Sequence, residues 1–227
     1  SQRLYKEGFK VIVGCSADSD RKNDWIATQL AAGYQFECVY GDITDWESTR
    51  KAFEMAREQF GPIDVLINNA GITRDASFRK LTPEDWNAVI GTNLSGVFNT
   101  TKQVIEGMLA KGWGRVINIS SINGQRGQFG QTNYSAAKAG IHGFTMALAR
   151  EVSGKGVTVN TVSPGYIQTN MTAAIRPDIL DSMIAATPVG RLGQPEEIAS
   201  IVAWLASDES GYSTGADFSV NGGMNMQ

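Results

Sequence analysis

In the run "NYSAAKAG", residues 133–140, Tyr134 and Lys138 stand four positions apart among alanines. Four residues make about one helical turn, so a helix here puts the phenol and the ammonium on one face, close to each other. A free tyrosine gives up its proton near pH ~10, and an adjacent cation favours the phenolate and brings that value down. A phenol tuned in this way can exchange a proton with a substrate as a general acid or base. Alone, the pair could equally be a surface ring and a solvated lysine. Its company gives it chemical weight: "INISSING" delivers Ser121 at the end of an apolar run thirteen residues before Tyr134, and "GTNLSG" carries Asn93. "LINNAG" and "SPGYIQT" each end a β-branched run in small residues, which lets a flat ring or a ribose approach the backbone.

These residues need a scaffold that gathers them. Short β-branched runs alternate with longer amphipathic ones: "FKVIV" 9–13, "FECVY" 36–40, "DVLINN" 64–69, "RVINIS" 115–120, "VTVNTV" 157–162 and "DFSV" 217–220. That rhythm is βαβ. The strands from residue 64 onward are apolar on both faces, as in a parallel sheet covered by helices on both sides, so a doubly wound, Rossmann-like α/β fold is expected over 1–227 as one domain. Such sheets bind ligands at the carboxyl ends of their strands, where Ser121, "NNAG" and "SPG" all fall. Thr82-Pro83-Glu84-Asp85 opens a helix read as continuous over 83–110, a second long helix covers 132–153, and Pro195-Glu196-Glu197 opens another that ends at Asp208 to Gly211. The beginning, "SQRLYKEGFKVIV", reads as the last turns of a helix, a stop at Gly8 and a strand. The first strand and glycine-rich phosphate loop of a dinucleotide-binding sheet are thus expected to be missing from these residues.

Composition narrows the partners. A net charge of −3 gives no general basic surface for nucleic acid. No apolar run of eighteen residues and no signal-peptide pattern occurs, so a cytoplasmic protein with no membrane partner is expected. Cys15 and Cys38 lie in strand-like runs without metal or disulfide spacing and read as reduced thiols, and no metal site is expected. His142, the one histidine, reads as a packing or interface residue with no serine or acid partner in view. The five tryptophans, with Phe98 and Met108, read as core or subunit contact.

On "NNAG", Asn93, Ser121, the Tyr134/Lys138 pair and "SPG", in this order, the chain resembles the short-chain dehydrogenase/reductase family over essentially its whole length. The resemblance implies that Tyr134 protonates a carbonyl oxygen as hydride reaches its carbon, that Lys138 lowers the phenol's pKa and holds the nicotinamide ribose, that Ser121 hydrogen-bonds the same oxygen, and that Asn93 supports a water-linked proton path. Cofactor contacts are expected from Ser16, Arg21, Gly41, Asp42, Ile43, Asn69, Ala70, Gly71, Ile72, Tyr134, Lys138, Pro164, Gly165, Tyr166 and Ile167. In "GCSADSDRK" the turn after the second strand holds Gly14, Cys15 and Ser16 with Arg21 and Lys22 within reach, which favours NADPH over NADH, with Asp18 and Asp20 assumed to face solvent.

Within the family, "GQRGQFGQTNYSAAKAGIHGFTMALA", "NNAGITRDASFRKLT" and "GWGRVINISSINGQ" resemble the members that reduce acetoacetyl-CoA in polyhydroxybutyrate synthesis. What this implies is an acyl-CoA thioester substrate, an (R)-3-hydroxyacyl-CoA product and a homotetramer. Substrate contacts are expected from Asp75, Lys80, Ser121, Gln128, Phe129, Gln131, Tyr134 and Tyr166, with Arg74 and Arg79 as further candidates for the CoA phosphates. Residues 171–192 read as a lid beside "SPG" or as a rigid packing helix. Two alternatives stay open. One is a 3-oxoacyl-carrier-protein reductase, against which Gly112 and Trp113 in "AKGWGR" are read as a rim short of bases; the other is a catalytically silent cofactor-binding or interaction subunit.

Overall fold

A computed structural model describes residues 1–16, 20–169, 172 and 176–226, and of residues 20–22 the backbone alone. Parallel strands β1 (Ile12–Cys15) and β2 (Glu37–Tyr40) form one sheet. A second holds β3 (Val65–Asn68), β4 (Gly114–Ile119), β5 (Val157–Pro164) and β6 (Asp217–Val220) in that order, each pair parallel. The helices are α1 (Gln2–Lys6), α2 (Asp20–Ala31), α3 (Trp46–Phe60), α4 (Pro83–Ile90), α5 (Gly96–Lys111), α6 (Ile122–Arg126), α7 (Thr132–Val152), α8 (Pro177–Ala185) and α9 (Pro195–Ala206). Among the described residues β1 and β3 share no ladder, so the strands divide between two sheets.

Alternation along each strand sends successive side chains to opposite faces, and each face of the larger sheet has its own core. On one, Leu66, Val116, Val157 and Val159 pack with Val104, Ile105 and Met108 of α5 and with Ala149 and Val152 of α7. On the other, Ile117 and Val162 pack with Leu4 of α1 and with Val202, Ala203, Leu205 and Ala206 of α9. This is the doubly wound arrangement that the two-sided apolar strands lead one to expect.

The helix starts follow their capping chemistry. The Thr82 hydroxyl accepts from Asp85 N at 3.1 Å ahead of Pro83 in the first turn of α4. Gln194 and Glu197 form a reciprocal capping box on α9. The helix expected over 83–110 is not continuous, however. Gly91–Ser95 is a π turn between α4 and α5, and it carries Asn93, whose carboxamide accepts from Ile72 N at 2.9 Å and donates to Ile72 O at 2.8 Å. The wider turn coincides with the side chain that must satisfy the loop after β3, a frequent use of π turns.

A buried polar ladder crosses the larger sheet below this point. Asn68 donates to Asn118 Oδ1 at 2.8 Å and accepts from Thr100 at 2.6 Å. Asn118 donates to Thr145 of α7 at 2.9 Å, and Thr161 donates to the same hydroxyl at 2.8 Å. Paired in this way, these groups fix the register of three strands against α5 and α7. Among the described residues no helix is long and apolar enough to cross a membrane, and no cluster of His, Cys, Asp and Glu could hold a metal ion.

Candidate active site

The singled-out residues meet at one edge. Ser16 follows β1, residues 41–43 follow β2, residues 69–72 follow β3, Ser121 comes just after β4, and Pro164 ends β5 with residues 165–167 behind it. The start of α7 brings Tyr134 and Lys138 to the same carboxyl edge, where Ser120 Oγ donates to the Lys138 carbonyl at 2.9 Å.

Ser121 caps α6, its Oγ accepting from Asn123 N at 3.1 Å, and its hydroxyl stands near enough to the Tyr134 phenol to act on its proton. Burial is the strongest influence on that phenol and pushes it above its ordinary value; the Ser121 hydroxyl pulls it down and the Asp75 carboxylate pushes it up again. The net result runs against the expectation that Lys138 lowers the tyrosine's pKa: burial prevails and the phenol ends above its ordinary value. Lys138 is only 4 % exposed, and its ammonium donates to Ile119 O at 2.7 Å and sits 5.6 Å from the centre of the Tyr134 ring. Burial lowers Lys138 itself to about 8.

Asn93 and Gly71 explain each other. A Cβ on Gly71 would stand 2.8 Å from Asn93 Oδ1 and 3.6 Å from Lys138 Nζ, so only glycine lets the carboxamide reach Ile72 beside the ammonium. The exposed main chain of residues 69–71 therefore runs past Lys138, whose remaining N–H groups can serve a ribose hydroxyl.

On the substrate side, Asp75 Oδ2 accepts from Gln131 Nε2 at 2.8 Å, and Tyr166 OH accepts from Arg126 at 3.3 Å. Phe129 is 89 % exposed, and Gln128 and Lys80 are exposed as well. Arg74 lies 3.8 Å from Asp85. Toward the expected adenine side, Asp42 and Gly41 are engaged within the chain. Asp42 Oδ1 accepts from both Thr44 N and Thr44 Oγ1, closing a turn, while a Cβ on Gly41 would come within 2.8 Å of Ala52 in α3. Both residues thus have packing reasons of their own. Ser16 is exposed, but the Arg21 and Lys22 side chains lie outside the described residues, as do Asp18 and residues 170, 171 and 173–175 at the head of the expected lid.

Two expectations need correction. His142 does have a serine and an acid beside it: its Nε2 is 3.3 Å from Ser163 Oγ and 3.4 Å from Asp217 Oδ2. Ser163 is fully buried and donates to Asp217 itself at 2.7 Å, so the cluster ties α7 to β5 and β6 and offers no accessible nucleophile. The "AKGWGR" stretch, in turn, lies at the amino end of β4, one six-residue strand or about 20 Å from the edge that carries Ser121. There Trp113 donates to Asp208 at 2.8 Å and stacks under the Arg115 guanidinium at 4.4 Å, so it does not line the edge that carries Ser121 and Tyr134. Residues that the sequence reading passed over include Asn123, Arg126 and Asn133; a carboxamide directly before the tyrosine was the available signal for the last.

A family model described as enoyl-(acyl carrier protein) reductase matches residues 1–225. The chain is 64% identical over 225 residues to the acetoacetyl-CoA reductase of Cupriavidus necator, covering 99% of this chain and 92% of that one. It is 52% identical, with the same coverage, to the acetoacetyl-CoA reductase of Allochromatium vinosum. To the 3-oxoacyl-(acyl-carrier-protein) reductase of Salmonella typhimurium it is 45% identical over 226 residues, 100% of this chain and 91% of that one.

Proposed function

The chain belongs to the short-chain dehydrogenase/reductase family, and from that membership we propose that this oxidoreductase reduces acetoacetyl-CoA to (R)-3-hydroxybutyryl-CoA with NADPH. The observation that carries the substrate is the 64% identity to an acetoacetyl-CoA reductase over 99% of this chain, against 45% to a carrier-protein reductase. In a cell the reaction would serve polyhydroxybutyrate synthesis in the cytoplasm, with the enzyme working as a homotetramer.

The residues present suit a nicotinamide cofactor on its ribose side. The exposed backbone of Asn69, Ala70 and Gly71 makes an open cradle, and the Lys138 ammonium stands beside it with hydrogens to spare. Ser16 and Arg21 would hold the 2′-phosphate. When bound, the cofactor supplies a hydride; the protein's own part is to manage the charge that appears on the carbonyl oxygen. Ser121 and Tyr134, whose hydroxyls stand near each other, would both direct them at that oxygen, and Tyr134 gives up its proton to it. A phenol held above its ordinary pKa is protonated at neutral pH and so starts as the acid that reduction requires. Lys138 and Asn93 would support the return of a proton from solvent.

The deciding experiment compares turnover of acetoacetyl-CoA and acetoacetyl-carrier protein with NADPH and NADH. Preference for the CoA thioester and NADPH is expected. Preference for the carrier protein would replace the substrate reading with its nearest rival, and absence of any turnover would favour the silent-subunit reading, against which the assembled Ser121, Tyr134 and Lys138 speak.

A further inference from the structure

Asn133 immediately precedes the tyrosine in the first turn of α7 and is 0 % exposed. Its carboxamide is used at both ends. Oδ1 accepts from Tyr134 N at 2.8 Å, while Nδ2 donates to Arg74 O at 3.0 Å and to Asp85 O at 3.5 Å. The acceptor end faces an N–H and the donor end faces two carbonyls, so the amide has one sensible orientation. A group this polar is buried at a cost unless every bond is made, and here its bonds run to the loop after β3 and to the first turn of α4.

The same loop is held twice more. Ala76 N donates to Gly130 O at 2.9 Å, and Asp75 Oδ2 accepts from Gln131, whose Oε1 in turn accepts from Asn123 at 2.9 Å. Three consecutive loop residues, 74 to 76, are thereby bonded to residues 130, 131 and 133. Gln131 makes no side-chain cap on α7, so its amide is committed sideways to the loop rather than to the helix end.

We propose that Asn133 is a positioning residue: its carboxamide clamps the start of the tyrosine helix to the 74–76 loop, so that the proton-donating phenol and the substrate-side Asp75 move as one unit. The inference rests on the reading of Tyr134 as the acid and extends it to how the acid is aimed. A displacement of about 1 Å at a reacting group can cost about 100-fold in rate, which is the leverage such a clamp has.

The test is Asn133→Ser, which keeps a short-range acceptor for Tyr134 N and loses both donors to the loop, with Asn133→Ala and Gln131→Leu beside it. With acetoacetyl-CoA and NADPH, kcat is expected to fall about 10- to 100-fold in Asn133→Ser while the KM for NADPH stays within about twofold. A second readout needs no substrate: phenolate absorbance of the variant, less that of the same variant carrying Tyr134→Phe, follows the titration of Tyr134 alone. Release of the clamp exposes the phenol and brings its midpoint down toward the ordinary tyrosine value. Gln131→Leu cuts a single tie on the other side of the loop and should move both readouts the same way by less. If Asn133 merely stabilises the fold, Asn133→Ser lowers the melting temperature but leaves kcat and the Tyr134 midpoint of the folded protein as in the parent, and the proposal is overturned. Should Asn133→Ala not fold, the other two variants decide. If the parent reduces no 3-oxoacyl thioester, the reductase reading fails by itself, and the Tyr134 titration still tests the clamp.

Discussion

Tyr134 and Lys138 owe their properties to burial more than to each other. With the phenol above its ordinary value and Lys138 down at about 8, the ammonium is still charged at pH 7 and the phenol still carries its proton. Tyr134→Phe removes that proton and should lower kcat for acetoacetyl-CoA by about 100- to 10,000-fold with little change in NADPH binding; near-parental rates would remove the mechanism. Lys138 makes a separate prediction about stability. Its folded value lies below the 10.5 of the unfolded chain, so between about 8 and 10.5 the unfolded state holds more protons and stability rises with pH. Below that window both states are charged and the burial penalty is full, on the order of a few kcal/mol. Urea unfolding of the cofactor-free protein from pH 7 to 10.5 should show this rise, and Lys138→Met should lose it; parallel slopes would refute the assignment. The spacing of the two residues was plain in the sequence because it is a property of the helix. Their electrostatics were not, since the Ile119 carbonyl that takes the ammonium and the Asp75 carboxylate that pushes the phenol up come from distant parts of the chain.

At the level of elements, β3 to β5 could be read in advance because two-sided burial leaves a continuous apolar signature, while β6 falls on the very residues of "DFSV" through alternation, with Phe218 and Val220 packed against the core and Asp217 and Ser219 exposed. The interrupted helix could not. Its periodicity runs through Gly91–Ser95, and the cause of the π turn, the need of Ile72 for Asn93, is a tertiary contact across 21 residues. For the same reason the Asn68–Asn118–Thr145–Thr161 ladder looks like scattered polarity until the strands are paired. The π turn invites a direct test. Asn93→Ala leaves the Ile72 N–H and C=O without partners and should cost about 1–3 kcal/mol of stability by chemical denaturation. Gly71→Ala attacks the same contact from the other side, by placing a methyl 2.8 Å from Asn93 Oδ1. Because the two changes break one interaction, the double variant should be destabilised by clearly less than the sum; simple additivity would mean that Gly71 and Asn93 act independently.

The whole molecule presents one helix that a single chain leaves half unused. Along α7 the residues Ala136, Ala139, Gly143, Met146 and Ala147 are all exposed, and no charge interrupts them before Arg150. Met146 is 53 % exposed, and on α5 Phe98 is 51 % exposed with Trp46 stacked on it at 6.0 Å. Small residues at helical spacing with an apolar rim let a second helix approach closely, which is how this face would serve the proposed homotetramer. Gly143 separates that role from folding. A Cβ built there meets nothing within 4 Å in its own chain, and replacing a mid-helix glycine favours the helix by up to about 1 kcal/mol. Gly143→Arg should therefore leave the isolated fold intact by circular dichroism while shifting the molecular mass in sedimentation or light scattering to a smaller species. Retention of the parental assembly would show that the subunits meet elsewhere. Loss of helix content in the variant would show that Gly143 is needed within the chain, against the open space around it.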